Sequence, residues 1–442
     1  MKTVYLIMLF IPVILIACES LCDDNGEEKY KNPNPPESNA LILTEKMLGS
    51  STNESTIWQI IDSKDGNFFF LGKLNVSDAS YSVIVGDEQI GNGDYEIIIG
   101  KLTPEGQTSS LHHPGFEARF ILRFDEGPAN YHNGLVGIGI AFNPVKPRLI
   151  IYDNQFDNYM NFTSGEENAW FNSIVYKSSA QNTYKFVAAG GITIDDIYYP
   201  YLAEILVNTE QQSIETGVVE IYSDYAGNYF TDIEMNDSKT QFYCTMIQLL
   251  DGAPYYLQLA KINSLYTIDW VTEIYYQNEI CSQNLNSLTV MNDKAFVVGS
   301  TEDDAKGLTS QGNKWLSGLA VCINASGEID WKKKVSLTQY SEKFHSVTNN
   351  QQYIFAVGVH SSHIHKKDET WDDYWIRENG FISKINCQTG EPLANYSLGN
   401  EVYSSGINSL VHVNNQPYAA GWTNQTEKDK GFQGWLLKLE SF

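Results

Sequence analysis

The chain has 442 residues, 13% of them aromatic with 27 Tyr, and a formal net charge of −25. That balance excludes the electrostatic attraction on which binding to nucleic acids and other polyanions rests, and its plainest effect is solubility. The six Cys show no C-x-x-C spacing and, with Cys18 set aside below, no even pairing. Neither a zinc site nor a disulfide framework is therefore expected. Cys244 and Cys322 sit inside strand patterns and read as small buried hydrophobes.

The N-terminus comes first. Lys2 precedes an apolar run over residues 4–16, interrupted by Pro12. The run is too short to span a bilayer and has the length of a secretory h-region. It ends Leu15-Ile16-Ala17-Cys18, which resembles a bacterial lipobox. The resemblance implies a signal peptide over residues 1–17 and a diacylated Cys18 that makes the membrane a partner. Residues 18–39 are acidic, then rich in Pro and Asn, and read as a solvated tether. Asp23-Asp24 and Glu27-Glu28 just after Cys18 resemble the surface-export signal of Bacteroidetes lipoproteins. This implies an outer-membrane lipoprotein, displayed at the cell surface or else facing the periplasm.

From residue 40 to 442 a weak unit recurs seven times. Its clearest copies are Asn286-Ser-Leu-Thr-Val-Met-Asn-Asp-Lys-Ala-Phe-Val-Val-Gly299 and Asn408-Ser-Leu-Val-His-Val-Asn-Asn-Gln-Pro-Tyr-Ala-Ala-Gly421. Each reads as a strand, a tight polar turn, a second strand and a Gly, with a third strand after it. A period of about 50–65 residues with about four strands per unit is the sequence signature of a β-propeller. The expected fold is all-β: seven four-stranded blades. First (a) strands begin near Trp58, Phe116, Trp170, Phe230, Asn286, Phe344 and Ile407. Residues 108–170 fit the unit poorly, so blade two is the least regular. The last blade lacks a fourth (d) strand, and residues 40–49 have that pattern. An N-terminal strand is thus expected to complete the last blade and close the ring.

Asn324-Ala-Ser-Gly-Glu-Ile-Asp-Trp331 carries an Asn/Asp-x-x-Gly-x-x-x-Trp pattern, with partial copies at Asn263–Trp270 and from Asn386 on. On it the repeat resembles the quinoprotein-like family of bacterial propellers, BamB-like outer-membrane assembly factors included. The resemblance covers blades four to seven and implies a fold, not an activity.

The turns joining a to b and c to d are short. The b–c loops, roughly 75–94, 191–200, 302–315, 361–378 and 424–431, are longer and share the opposite face. Variable loops over a rigid scaffold are where binding is expected. The candidate ligand-binding residues there are Tyr198, Tyr199, Trp315, Trp371, Tyr374, Trp375 and Trp422. Flat rings among Asp and Asn suit a glycan or a protein hot spot, and equally suit packing between blades. His360, His363 and His365 beside Asp368, Asp372 and Asp373 have permissive metal-ligand spacing on a loop, and no metal or other cofactor is assigned. Asp62-Ser-Lys-Asp-Gly-Asn67 superficially matches a calcium loop but lacks the remaining ligands, and hairpin-turn chemistry explains it. Asn-Ser pairs opening a strands (Asn172-Ser173, Asn286-Ser287, Asn408-Ser409), with His345-Ser346 in register, read as blade-to-blade locks; a small-ligand ring is the alternative.

No nucleophile elbow and no phosphate-cradling loop appears. The expected role is non-catalytic: a binding or scaffold protein for a glycan or a protein partner. A glycan hydrolase or lyase, and an envelope-assembly partner, are the alternatives.

Overall fold

The computed structural model describes residues 42–440. It leaves out 49–54, 76–82, 86–87, 91–94, 113, 115, 125–133, 142–143, 181, 249–255, 275–284, 304–314, 338–340, 365–374, 400–403 and 425–432. The signal peptide (1–17), Cys18 and the tether (18–39) expected from the sequence lie outside the described residues. Among the described residues no helix is long and apolar enough to cross a membrane.

Seven antiparallel sheets of four strands form a seven-bladed propeller. The innermost strands are Thr56–Asp62, Glu117–Phe124, Ala169–Ala180, Asn228–Met235, Leu285–Met291, Glu342–Asn349 and Ser405–Val413, and neighbours among them touch around the ring. Blade two, the poorest fit to the repeat, is a regular sheet of Glu117–Phe124, Gly134–Ala141, Lys146–Tyr152 and Tyr159–Thr163. The second and third strands are apolar almost throughout, as in Gly134–Ala141, because each blade is covered on both faces by its neighbours. One apolar cluster fills each of the seven seams between blades.

The ring closes as expected. Ile42–Leu48 pairs antiparallel with Gln433–Leu439 as the outermost strand of blade seven. The fully buried Trp435 donates its Nε1–H to Glu45 Oε2 at 3.3 Å, which fixes the register of this seam.

The glycine that ends the repeat unit has a physical cause. Every innermost strand carries a bulge at the same place, between Ile57/Gln59, Ala118/Phe120, Phe171/Ser173, Phe230/Asp232, Leu285/Ser287, Phe344/Ser346 and Ile407/Ser409. The extra residue throws a carbonyl oxygen onto the facing second strand. A Cβ at Gly358 would sit 1.9 Å from Lys343 O, and at Gly421 1.9 Å from Gly406 O. Six blades place glycine opposite the bulge, which is how it writes itself into the sequence, and blade four places Met246 there.

The Asn…Trp pattern is a docking device. Trp331 of blade five lies on Gly390 of blade six, where a Cβ would meet its ring at 2.5 Å, and donates its Nε1–H to Cys387 O at 3.1 Å. Trp270 of blade four docks likewise on Gly327 and donates to Ala325 O at 3.1 Å. Cys244 and Cys322 are fully buried.

One loop reading is corrected. Residues 191–200 are not a loop: the strands Thr183–Ile194 and Ile197–Asn208 run on to a tight turn at Asp195-Asp196, with φ of 50° and 63°. Asp tolerates the left-handed region, and two in a row make a hairpin turn that matches the sheet twist. Asn292-Asp293 and Asn414-Asn415 turn the same way.

Candidate ligand site at the channel mouth

The bulge aims a pair of consecutive residues from each innermost strand at the next blade, and a polar ring results. In blade one, Gln59 Nε2 donates to Ile121 O at 3.1 Å, and its Oε1 accepts from Ile121 N at 2.9 Å. Arg119 donates to Asn172 Oδ1 at 2.9 Å, and Asn172 Nδ2 to Phe230 O at 2.7 Å. The Ser173 hydroxyl donates to Asp232 Oδ1 at 2.7 Å, and Asp232 Oδ2 accepts from Leu288 N at 2.9 Å. Asn349 Nδ2 donates to Thr289 Oγ1 at 2.7 Å, tying blade six to blade five. His345 Nδ1 lies 3.1 Å from Asn408 Oδ1, and Asn408 Nδ2 donates to Ile57 O at 2.9 Å. The Asn-Ser pairs with described side chains are therefore blade-to-blade locks, as the sequence implied, and His345 stands in for one of them.

Around this ring titratable groups are held away from their ordinary values. Burial pushes Asp232 up to about 6 against its three hydrogen bonds. Burial, with Asp232 beside it, pushes Glu234 up to about 8. Burial and then Lys343 push His345 down to about 4, which keeps the ring neutral. Glu378 is raised by burial, with Lys343 opposing. Arg119 is lowered by burial, with Glu117 at 3.2 Å opposing.

On the b–c face, just outside the bulges, three rings form a cluster. Trp170 and Tyr229 lie two residues before the bulge position in blades three and four, with centroids 5.8 Å apart. Tyr198 completes it at 6.0 Å from Trp170 and 6.4 Å from Tyr229, edge to face with both. The Tyr198 carbonyl accepts from Gly227 N at 2.8 Å, which pins this strand to the start of blade four. Trp170 and Tyr229 are buried and Tyr198 is partly open.

The other candidates from the sequence fall as follows. Tyr199, next along an extended strand, points to the opposite face and packs against the seam of blades two and three. Trp315 and Trp422 are 8% and 7% exposed. Trp371 and Tyr374 lie outside the described residues, as does His365; Trp375 opens the strand Trp375–Asn386, its side chain also outside them. His360 is buried with Nε2 2.8 Å from Ser397 Oγ, and His363 is described only as backbone in Tyr353–Ile364. In the turn at 62–67, Asp65 accepts from Lys101 Nζ at 2.5 Å and from Ser63 Oγ at 2.5 Å.

Glu117, Arg119, Trp170, Tyr229, Asp232 and Glu234 were not singled out from sequence. The one available signal was register: Thr231-Asp232 occupies the position of the Asn-Ser pairs.

No family model and no curated protein matches this sequence. Among solved structures the chain is similar to BBS1N in a complex with ARL6DN, at 10% identity, covering 91% of this chain and 97% of that one with a TM-score of 0.44. It is similar to an α-L-arabinanase from Penicillium chrysogenum complexed with arabinobiose, at 8% identity, 73% and 93% coverage and a TM-score of 0.39. It is also similar to the β-propeller domain of the Trilobed protease from Pyrococcus furiosus, at 11% identity, 69% and 81% coverage and a TM-score of 0.35. Likeness at this distance says nothing of what this chain binds or does.

Proposed function

We propose that this chain is a lipid-anchored envelope protein that recognises a glycan on the b–c face of its propeller, beside the channel mouth. The observation that carries the reading is Tyr198, a partly open ring on the b–c face held edge to face against the buried Trp170 and Tyr229. Such a ring stacks on the CH face of a sugar. In this reading Cys18 carries the acyl anchor, the tether sets the propeller off from the outer membrane, and Trp371, Tyr374 and Trp375 are further candidate ligand contacts. The test is a panel of polysaccharides against the mature lipoprotein in detergent. Binding without turnover, lost in Tyr198→Ala or Trp371→Ala, supports it; no binding to any member overturns it in favour of a protein partner. Retention of Cys18→Ser in the membrane fraction would remove the anchor.

A glycan hydrolase is the second reading, favoured by one observation. Asp232 and Glu234 leave the same face of one strand about 7 Å apart, with values split to about 6 and about 8. Carboxyls whose environments separate their values are suited to acid and base roles. New reducing ends that vanish in Glu234→Gln would establish it; turnover unchanged by that substitution would exclude this pair.

A further inference from the structure

The outermost (d) strands repeat a second irregularity, and what stands at it differs around the ring. Near the c–d turn, five of them carry one extra residue against the c strand. It is Ser109 in blade one, Asp269 in blade four, Asp330 in blade five, Leu393 in blade six and Leu43 in blade seven. In blades four and five this residue is a bonded carboxylate: Asp269 Oδ1 accepts from Asn263 Nδ2 at 2.8 Å, and Asp330 Oδ1 from Asn324 Nδ2 at 3.0 Å. In the neighbouring blades six and seven it is a leucine, 51% and 48% exposed. One exposed leucine is ordinary on a protein surface. Two at the same structural position of adjacent blades mark one arc of the rim.

The same two blades differ in charge. The c-strand residue facing the position after the extra one is Lys101 in blade one, Lys261 in blade four, Lys384 in blade six and Lys438 in blade seven. Lys101 Nζ is held by Asp65 and by Asn154 O at 3.0 Å, and Lys261 Nζ donates to Ala325 O at 3.0 Å. Lys384 and Lys438 make no hydrogen bond or ion pair among the described residues; Lys384 lies over the Tyr353 ring, 4.2 Å from its centroid. Lys46, on the d strand of blade seven, has no ion pair there either. Against these three cations stand Glu45, which accepts from Trp435, and the exposed Glu440; Glu391 is held by Lys333 at 2.5 Å. In a chain of net charge −25, this arc is one that an anionic surface does not repel.

The segment that precedes the propeller joins it at this arc. Ile42 faces Leu439 at the c–d end of blade seven, so residues 18–41 lead away from the disc beside Leu43. We propose, resting on the anchor reading above, that the c–d rim of blades six and seven docks on the lipid bilayer that holds Cys18. Leu43 and Leu393 enter the headgroup layer, and Lys46, Lys384 and Lys438 meet anionic headgroups. Burial of apolar side chains supplies the attraction and the lysines add to it. A flexible coil of 18–41 averages roughly 25–30 Å end to end. It holds the disc near the membrane and leaves it free to turn, and the docked rim removes that freedom. The b–c face, with Tyr198, then points away from the bilayer, where a ligand in solution meets it.

The experiment places the mature lipoprotein in vesicles of phosphatidylethanolamine and phosphatidylglycerol that contain headgroup-spin-labelled lipid. In a Cys22→Ser background, one fluorophore is attached at Gln388→Cys, in the c–d turn of blade six, or at Ile194→Cys, at the hairpin tip on the b–c face. Cys244, Cys322 and Cys387 are buried and stay unlabelled. Quenching at 388 and not at 194, lost in Leu43→Ser/Leu393→Ser with an unchanged melting temperature, is the expected result. In protein that floats with the vesicles, equal quenching at both sites, or quenching at 388 that the double variant keeps, overturns the docking and leaves the anchor standing. Flotation of Cys18→Ser that disappears when the two leucines are also replaced keeps the docking surface and overturns the anchor. Failure of the parent protein to float overturns both. A dimer in sedimentation that the double variant dissolves assigns the arc to a second copy of the chain and overturns the bilayer as its occupant.

Discussion

The seam between blades five and six and the seam between blades three and four solve one problem in two ways. In the first, the Trp331 ring lies flat on Gly390 beside Met291, Phe296, Phe344 and Phe381. Shape does most of the work, and a backbone carbonyl satisfies the indole N–H. In the second, Asn172, Ser173, Asp232, Lys177, Glu204 and Tyr266 add bonds across the gap to an apolar layer. A dry seam is stable because it fills space. A polar seam is stable only while every member keeps its partner, so it is sensitive to single changes and to pH.

The widest break in this contrast is Trp331→Ala. It empties a site that is 9% exposed and orphans the Cys387 carbonyl, for an expected loss of about 3–5 kcal/mol in urea unfolding. Asp232→Ala attacks the polar seam by leaving the Ser173 hydroxyl and the Leu288 amide unpaired. About 2–3 kcal/mol is expected; a loss as large as that of Trp331→Ala would erase the distinction.

The third prediction uses pH. Asp232 and Glu234 have folded values, about 6 and about 8, above their ordinary 3.8 and 4.5. The folded chain therefore holds more protons than the unfolded chain between those limits. Their contribution is full below the ordinary values and is lost as pH rises through the folded ones. Glu234→Gln removes its share: little change at pH 4, and at pH 9 a gain on the order of 2 kcal/mol over the parent. Melting curves across that range check it, and parallel curves for the two proteins would contradict the assignment. The smallest effect belongs to the rim. Lys333→Ala breaks a 2.5 Å ion pair with Glu391 on the surface, and about 0–1 kcal/mol is expected.

The sequence made the dry seam readable and left the polar one almost silent. Trp331 and Gly390 are unusual residues at fixed spacing, and glycines mark the bulge in every blade but the fourth, where Met246 faces it. Ring closure was readable because residues 40–49 matched what blade seven lacked. Asp232 and Glu234 are two acidic residues among 54 Asp and Glu. Their character comes from the blades on either side, hundreds of atoms that no local pattern encodes. Tyr198 was picked out as a loop aromatic. It belongs to a strand, because the twin Asp195-Asp196 reads as loop composition unless its taste for left-handed backbone is weighed.

The seam that joins the two ends of the domain sets a timetable. Glu45 and Trp435 meet across 390 positions, so the strand Ile42–Leu48 has no partner until Gln433–Leu439 is made. Through that interval the molecule is an open arc with two bare edges, and its slowest contact is also its most distant. A cell making this protein must shelter those edges until the final seven-residue strand, Gln433–Leu439, arrives.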